Sequence, residues 1–129
     1  MSKNREPVLR ISPRLADLNL NGNIFGGWVL SQMDIAGGIT AARRARGTVA
    51  TVAIEAMKFV RPIRVGDLVS CYAEIVKVGT TSITVKIDVT AIRAGKRETQ
   101  NVREVQVTEG FFIFVALDEK GRPRPVPEN

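Results

Sequence analysis

The feature that most constrains the fold is a change of hydrophobic period at Gly47. From Gly26 to about Arg46, apolar residues recur at helical spacing: Leu30, Met33, Gly37 and Ala41 form one stripe, and Val29, Met33, Ala36 and Thr40 a second. Apolar character on most sides predicts a buried helix, roughly 30 Å long at the usual rise per residue. Arg43, Arg44 and Arg46 fall in its last turn, where cations favour the negative end of the helix dipole, and Gly47 can close it. The preceding run Asp17 to Asn23 is loop-like and offers Asn21 or Asn23 as the cap. Gly26, Gly27, Gly37 and Gly38 would weaken an isolated helix, and make sense if something packs closely against it.

Beyond Gly47 the period drops to two. Thr48 to Val60 is β-branched and apolar and ends at Arg61-Pro62; Asp67 to Val78 sets Val69, Cys71, Ala73 and Ile75 against Ser70, Tyr72 and Glu74. Ser82 to Ile92 alternates most cleanly, with Ile83, Val85, Ile87, Val89 and Ala91 facing one way. Arg103 to Leu117 is the last long strand, and Val8 to Ile11 a short first one. Turn signals at Val65-Gly66-Asp67, Gly79-Thr80-Thr81 and Ala94-Gly95-Lys96 separate them. The order β-α-β-β-β-β with short turns predicts an antiparallel meander whose apolar face is covered by the helix. The expected class is α+β; a curved antiparallel sheet wrapped around one long central helix, the hotdog arrangement, meets this pattern, as do other α+β layouts. The chain reads as a single domain over 1–129, with flexible ends at about 1–7 and 118–129, the latter trailing over the surface.

Composition bounds the chemistry. The chain has no histidine, so Ser-His-Asp and Cys-His nucleophile systems cannot be built, and zinc sites lose their commonest ligand. Acid–base work near neutral pH must come from carboxylates, lysine, tyrosine or bound water. One cysteine, Cys71, excludes an internal disulfide and suits a reducing compartment; it falls on an apolar strand face, where it should be inert. No apolar stretch near Met1 resembles a secretory signal, and Ile24 to Ala42 is too polar for a membrane span, so the cytoplasm is the expected location. The net charge of +6 implies an anionic partner or only good solubility; the basic residues are scattered and only seven aromatic residues are present, which argues against a nucleic-acid surface. A phosphorylated small molecule satisfies the same charge.

Between Asp17 and Arg43 the only charged side chain is Asp34, in the middle of the predicted helix. An unpaired buried carboxylate costs several kcal/mol, so such a residue has a partner, a backbone group to cap, or a chemical task.

The run Asn21-Gly22-Asn23-Ile24-Phe25-Gly26-Gly27-Trp28-Val29-Leu30-Ser31-Gln32-Met33-Asp34 resembles the signature of YciA-type acyl-CoA thioesterases, a branch of the hotdog superfamily. The likeness continues, in order, through VAIEAMKFVRP (Val52 to Pro62), VGDLVSCY (Val65 to Tyr72), VGTTS (Val78 to Ser82) and VALDEKGRPRPVP (Val115 to Pro127). It covers nearly the whole chain, leaving out the first dozen residues and Ala94 to Val102. The resemblance implies acyl-CoA hydrolysis, with Asp34 as general base on water or as nucleophile. It also implies a site at a dimer interface, in which N–H groups near Gly26 and Gly27 polarise the thioester carbonyl. Free donors at a helix start suit a developing oxyanion, although close helix–sheet packing would equally explain these glycines. Asn23 is a candidate to position water or the carbonyl, or a plain cap.

For the CoA phosphates the candidates are Gly79, Thr80, Thr81 and Ser82, as a small anion-binding nest or an ordinary hairpin turn. Arg61, Arg64, Arg93 and Lys96 are the cationic candidates, each alternatively a solvated surface charge. No metal and no cofactor are expected, since CoA is part of the substrate. The resemblance also implies a dimer that pairs sheets edge to edge, extended to a trimer of dimers, and edge pairing would cover the exposed edge of an open sheet. Hydratases of this fold use a histidine and drop out. The alternative is a non-catalytic acyl-CoA sensor, for which the chain leaves no residues for a DNA-binding segment.

Overall fold

The computed structural model describes residues 5–93 and 103–129. The elements are β1 (Leu9–Ile11), a 3-10 turn (Leu15–Asp17), α1 (Gly26–Ala45), β2 (Val49–Phe59), β3 (Leu68–Val78), β4 (Ser82–Arg93) and β5 (Arg103–Ala116). The long helix and each strand lie within a residue or two of their expected spans, because the change of period is sharp; the 3-10 turn was not expected. The turn signal at Ala94-Gly95-Lys96 lies outside the described residues.

The strands form one antiparallel sheet in the order β1-β3-β4-β5-β2. This corrects the expected meander: β3, β4 and β5 follow one another, but β2 pairs with β5 and not with β3. The connecting residues 60–67 are fastened to other parts of the fold instead of folding back as a hairpin. Val60 and Arg61 donate their N–H groups to the Val107 carbonyl, and the buried Ile63 accepts from the Ile24 N–H. The Asp67 carboxylate accepts from the Arg64 N–H at 2.9 Å and from Arg93 Nε at 3.1 Å. The crossing leaves β2 as an edge strand. Its register slips between Glu55 and Lys58, where Ala56 takes φ 53°, so the strand bends toward its end.

Helix α1 lies on the concave face, with Trp28, Val29, Met33, Ala36, Gly37, Ala41 and Ala45 buried against the sheet. Opposite them are Ile83, Val85, Ile87 and Val89 of β4 and Phe112 and Phe114 of β5, all essentially inaccessible. Burial of side chains of this size contributes about 1.5–3 kcal/mol each. The contact is closest at Gly37, where a methyl group would stand 2.7 Å from Ile87 Cδ1 and 2.9 Å from Phe114 Cζ. The helix backbone itself touches the sheet there. Only this side of α1 is covered, which corrects the expectation of a helix buried all round.

The other sheet face is polar yet partly buried. Tyr72 Oη and Thr90 Oγ1 donate to Glu104 Oε2 at 2.8 and 2.5 Å, and Arg10 Nε donates to Ser70 Oγ at 2.9 Å. The Thr90 hydroxyl, and then that of Tyr72, hold the Glu104 carboxyl below its ordinary range. Arg5 lies 3.8 Å over the Tyr72 ring and pairs with Asp88 at 3.0 Å.

The carboxy-terminal residues do not trail away. Leu117 and Pro123 form a bridge, the Val126 N–H donates to the Thr80 carbonyl, and Arg44 reaches the Pro127 carbonyl at 2.5 Å. Three prolines remove donors from this stretch, but its arginines and the Val126 N–H replace them.

The close approach at Gly37 predicts that Gly37→Val destabilises the protein by about 1–3 kcal/mol through overpacking. Gly38→Ala should be tolerated, since its added methyl would meet only Phe114 at 3.8 Å. Thermal melts of the two variants check this.

Candidate active site

The start of α1 is set by the loop before it. Asn19 Oδ1 accepts the N–H groups of Asn21 and Asn23 at 2.8 and 3.1 Å, and the Phe25 N–H donates to the Asp17 carbonyl at 3.1 Å. Phe25 thus takes the cap position, at φ −70° and ψ 150°, with no side-chain cap hydrogen bond. This corrects the expectation that Asn21 or Asn23 caps the helix: the loop asparagine side chain that engages backbone N–H groups here is that of Asn19. Gly26 and Gly27 therefore begin the helix with no capping side chain over their N–H groups. Asn23 is half-buried two residues before the cap. A cavity of about 350 Å³ opens against this first turn, lined by Ile24, Gly26, Val29, Phe59 and Ile63 among others. The Phe59 ring lies 3.7 Å from where a Gly26 Cβ would be. Trp28 is buried, whereas Phe59 is exposed.

Asp34 lies on the uncovered side of α1. It was expected to be buried; it is exposed, because the sheet covers the opposite side of the helix. It is nevertheless held: Thr51 Oγ1 of β2 donates to Asp34 Oδ1 at 2.5 Å. Apolar side chains flank the pair. Ile35 and Ile39 of α1 are 49% and 37% exposed, and Val52 and Ile54 of β2 are 56% and 44% exposed. A carboxylate oriented by a hydroxyl, set among uncovered apolar residues beside an edge strand, is a group that a second surface can enclose.

Sequence reasoning missed Thr51. Its only signal was a hydroxyl in an apolar strand, and the register slip between Thr51 and Ala53 hides which way the side chain points. The Cys71 thiol is buried, and that burial pushes its pKa up to about 12, so it stays protonated at neutral pH and takes no part in the site.

A family model for the thioesterase superfamily matches residues 21–96. The chain belongs to the thioesterase superfamily. It is 49% identical over 122 residues to the acyl-CoA thioester hydrolase YciA of Salmonella typhimurium, covering 95% of this chain and 90% of that one. Among solved structures, a hexameric hotdog fold thioesterase of Campylobacter jejuni superposes with a TM-score of 0.89 at 38% identity, covering 95% of this chain and 90% of that one. A hexameric thioesterase from Yersinia pestis gives a TM-score of 0.86 at 44% identity, covering 99% of this chain and 100% of that one. The one-helix, five-strand architecture is the hotdog fold, as the period change and the YciA-type motifs implied.

Of the residues expected to hold the CoA phosphates in this thioesterase-superfamily chain, Arg61, Arg64 and Arg93 come together at the crossing from β2 to β3, apart from the 79–82 turn. Arg93 donates Nε to the Asp67 carboxylate and also reaches the Pro62 carbonyl. Arg61 donates to the Gln106 carbonyl at 2.6 Å. Both guanidiniums pin the crossing between β2 and β3. Arg64 is exposed beside them, and Lys96 lies outside the described residues. Gly79, Thr80, Thr81 and Ser82 form the turn at the other end of β4, about 36 Å away along the strand. There the Gly79 N–H donates to the Ser82 carbonyl, and the Thr80 and Thr81 carbonyls accept from Val126 and Ala116. The turn's backbone is engaged by β5 and the tail.

Arg93 therefore reads as structural. Arg93→Ala should cost roughly 3 kcal/mol, the low end for stranding a buried carboxylate, because Asp67 loses its ion pair. Its affinity for CoA should stay within about twofold of the parent, a change under half a kcal/mol. Urea denaturation together with a CoA titration checks both.

Proposed function

We propose that this chain hydrolyses acyl-CoA thioesters at a site shared between two copies, with Asp34 as its catalytic carboxylate. The observation that carries this reading is the Thr51-held Asp34 on the uncovered side of α1, next to the edge strand β2. The Salmonella relative's name supplies the substrate class.

The division of labour follows from helix geometry. Gly26 and Asp34 are eight positions apart on α1, about 12 Å along its axis. A carbonyl under attack must lie about 3 Å from both the attacking group and its oxyanion donors. The two ends of this chemistry therefore come from different chains: Asp34 from one, and the first-turn N–H groups of Gly26 and Gly27 from the other. Pairing of β2 edges brings the uncovered faces together, covers Ile35, Ile39, Val52 and Ile54, and removes the exposed edge. The Campylobacter and Yersinia neighbours are hexamers, which fits a trimer of such dimers.

In the general-base form of the reaction, Asp34 takes a proton from water as its oxygen bonds to the thioester carbon. The tetrahedral oxyanion is held by helix N–H groups, and Asn23 lies close enough to that helix start to orient the carbonyl or the water. The C–S bond then breaks, and the proton passes from Asp34 to the departing CoA thiolate. In the nucleophilic form Asp34 bonds to the carbonyl carbon and the C–S bond breaks to release the CoA thiolate; water then hydrolyses the anhydride, restoring the Asp34 carboxylate, and its proton goes to the thiolate. Thr51 is a positioning residue in both. Neither form needs a metal or a cofactor. Among the described residues no helix is long and apolar enough to cross a membrane, and the single cysteine suits the cytoplasm as its place of action.

Release of free CoA thiol from a panel of acyl-CoAs tests the proposal. The wild type should turn over, and Asp34→Asn should lower kcat by about a hundredfold or more, the loss typical of removing a general base. Thr51→Val should fall between the two. A wild type that binds acyl-CoA without releasing thiol would instead make the protein a sensor.

A further inference from the structure

We infer that Met57 is a positioning residue of the active site: seated in a notch over Gly110, it holds a strained bulge of β2 and so sets Phe59 over the start of α1. This rests on the acyl-CoA hydrolase reading above and names a residue through which each chain prepares its share of the site.

The notch is made by a glycine. Between the pairs Glu55–Phe111 and Lys58–Glu109, two residues of β2, Ala56 and Met57, face a single residue of β5, Gly110. An extra residue of this kind bends a strand and re-aims the side chains that follow. Gly110 is buried, and a methyl group added there would overlap the Met57 sulfur and stand 3.3 Å from Met57 Cγ. The thioether therefore occupies the space that a side chain at residue 110 would take. Cε of Met33, a fully buried residue of α1, reaches to 3.6 Å from the same point. Met57 thus sits where β2, β5 and α1 converge, in an irregular gap that an unbranched, polarisable side chain fills well.

The bulge needs such an anchor. Ala56 takes φ 53°, a left-handed conformation that glycine adopts freely and alanine resists, and it persists only where the surroundings impose it. After the bulge, Lys58 pairs with Glu109 at 3.9 Å, but the lysine is 68% exposed, and an exposed pair of that length contributes little. The half-buried Met57, packed against the core, is the stronger tether.

Both ends of the chemistry lie within reach of this seat. Phe59 follows Met57 by two residues, its ring lies 3.7 Å from where a Gly26 Cβ would be, and it lines the cavity against the first turn of α1. The ring is 56% exposed in the single chain, so the path of β2 is what keeps it there. The first-turn N–H groups stabilise an oxyanion only where the thioester is admitted and water is excluded, and Phe59 stands at that boundary. On the other side, Met33 directly precedes Asp34, so the same seat braces the turn of α1 that carries the carboxylate. Met57 acts on both without touching substrate.

Steady-state release of CoA thiol, with kcat and KM read separately, tests this in the wild type, Met57→Ala, Met57→Leu and Ala56→Gly, each shown by melting and gel filtration to keep its fold and assembly. Met57→Ala empties the notch and should lower kcat about tenfold or more, since a misplacement of about 1 Å can cost a hundredfold. KM should stay within about twofold, as expected when orientation is lost and not binding. Met57→Leu, close in volume, should recover most of kcat, and Ala56→Gly, which suits the left-handed backbone, should keep it. Where alanine lowers the yield of folded protein, Met57→Val keeps more of the volume but cannot reach the notch, and carries the same expected loss. A lowered melting temperature with unchanged kcat, or Met57→Leu no better than Met57→Ala, would make the seat purely structural and overturn the inference. An inactive wild type sinks the hydrolase reading and this inference with it. An active wild type whose Met57→Ala variant keeps its kcat overturns this inference alone.

Discussion

Helix α1 presses its backbone against β4 and β5 at Gly37, and the rest of the molecule is arranged around that one-sided contact. The small residues Ala36, Gly37, Ala41 and Ala45 let the sheet come close, and the bulk needed to fill the core comes from the strands, chiefly Phe112, Phe114 and Ile87. A helix seated so deeply on one side has no more sheet to cover the other. That other side carries Asp34, Ile35 and Ile39, and the edge strand beside it carries Thr51, Val52 and Ile54. The same packing that makes the core tight therefore leaves a carboxylate among apolar groups, accessible in one chain and ready to be enclosed by a second.

The chemistry and the assembly then depend on each other. A lone chain holds an oriented carboxylate and an uncapped helix start, but about 12 Å of helix separates them. In the proposed dimer each finds its complement in the other copy. Association of that kind would cover exposed apolar surface and complete two sites at once, as an isologous contact must. Charge divides along the same axis. Arg61 and Arg93 are committed to the crossing near the start of α1, while among the described residues Arg46, Lys120 and Arg122 near its end pair with no carboxylate.

Much of this was legible in the sequence, for reasons that differ by residue. The alternation from Ile83 to Ala91 and the stripes of α1 state their own geometry, so the elements were placed within a residue or two. The catalytic candidate Asp34 and the glycines at the helix start were visible as exceptions to those patterns. The order of strands was not, because it depends on where residues 60–67 are fastened, and the buried Ile63 and the Asp67–Arg93 pair become evident only in three dimensions. Periodicity shows which faces are apolar but not what covers them, so Asp34 read as buried. Thr51 was hidden by a register slip, the capping asparagines gave way to Phe25, and the tail folds back onto the end of α1.

The sharpest test of the shared site is subunit mixing. One partner is Asp34→Asn, and the other is Gly26→Pro, which removes a first-turn N–H at a position where proline suits the helix and Phe25 already has the extended backbone proline requires. Each variant alone should be nearly inactive. Co-refolded in equal amounts, they should regain about a quarter of the wild-type activity, because half of the pairs are hybrids and each hybrid holds one intact site. Full activity of Gly26→Pro alone, or a mixture that forms hybrids yet stays as inactive as its parents, would contradict a site built from two chains.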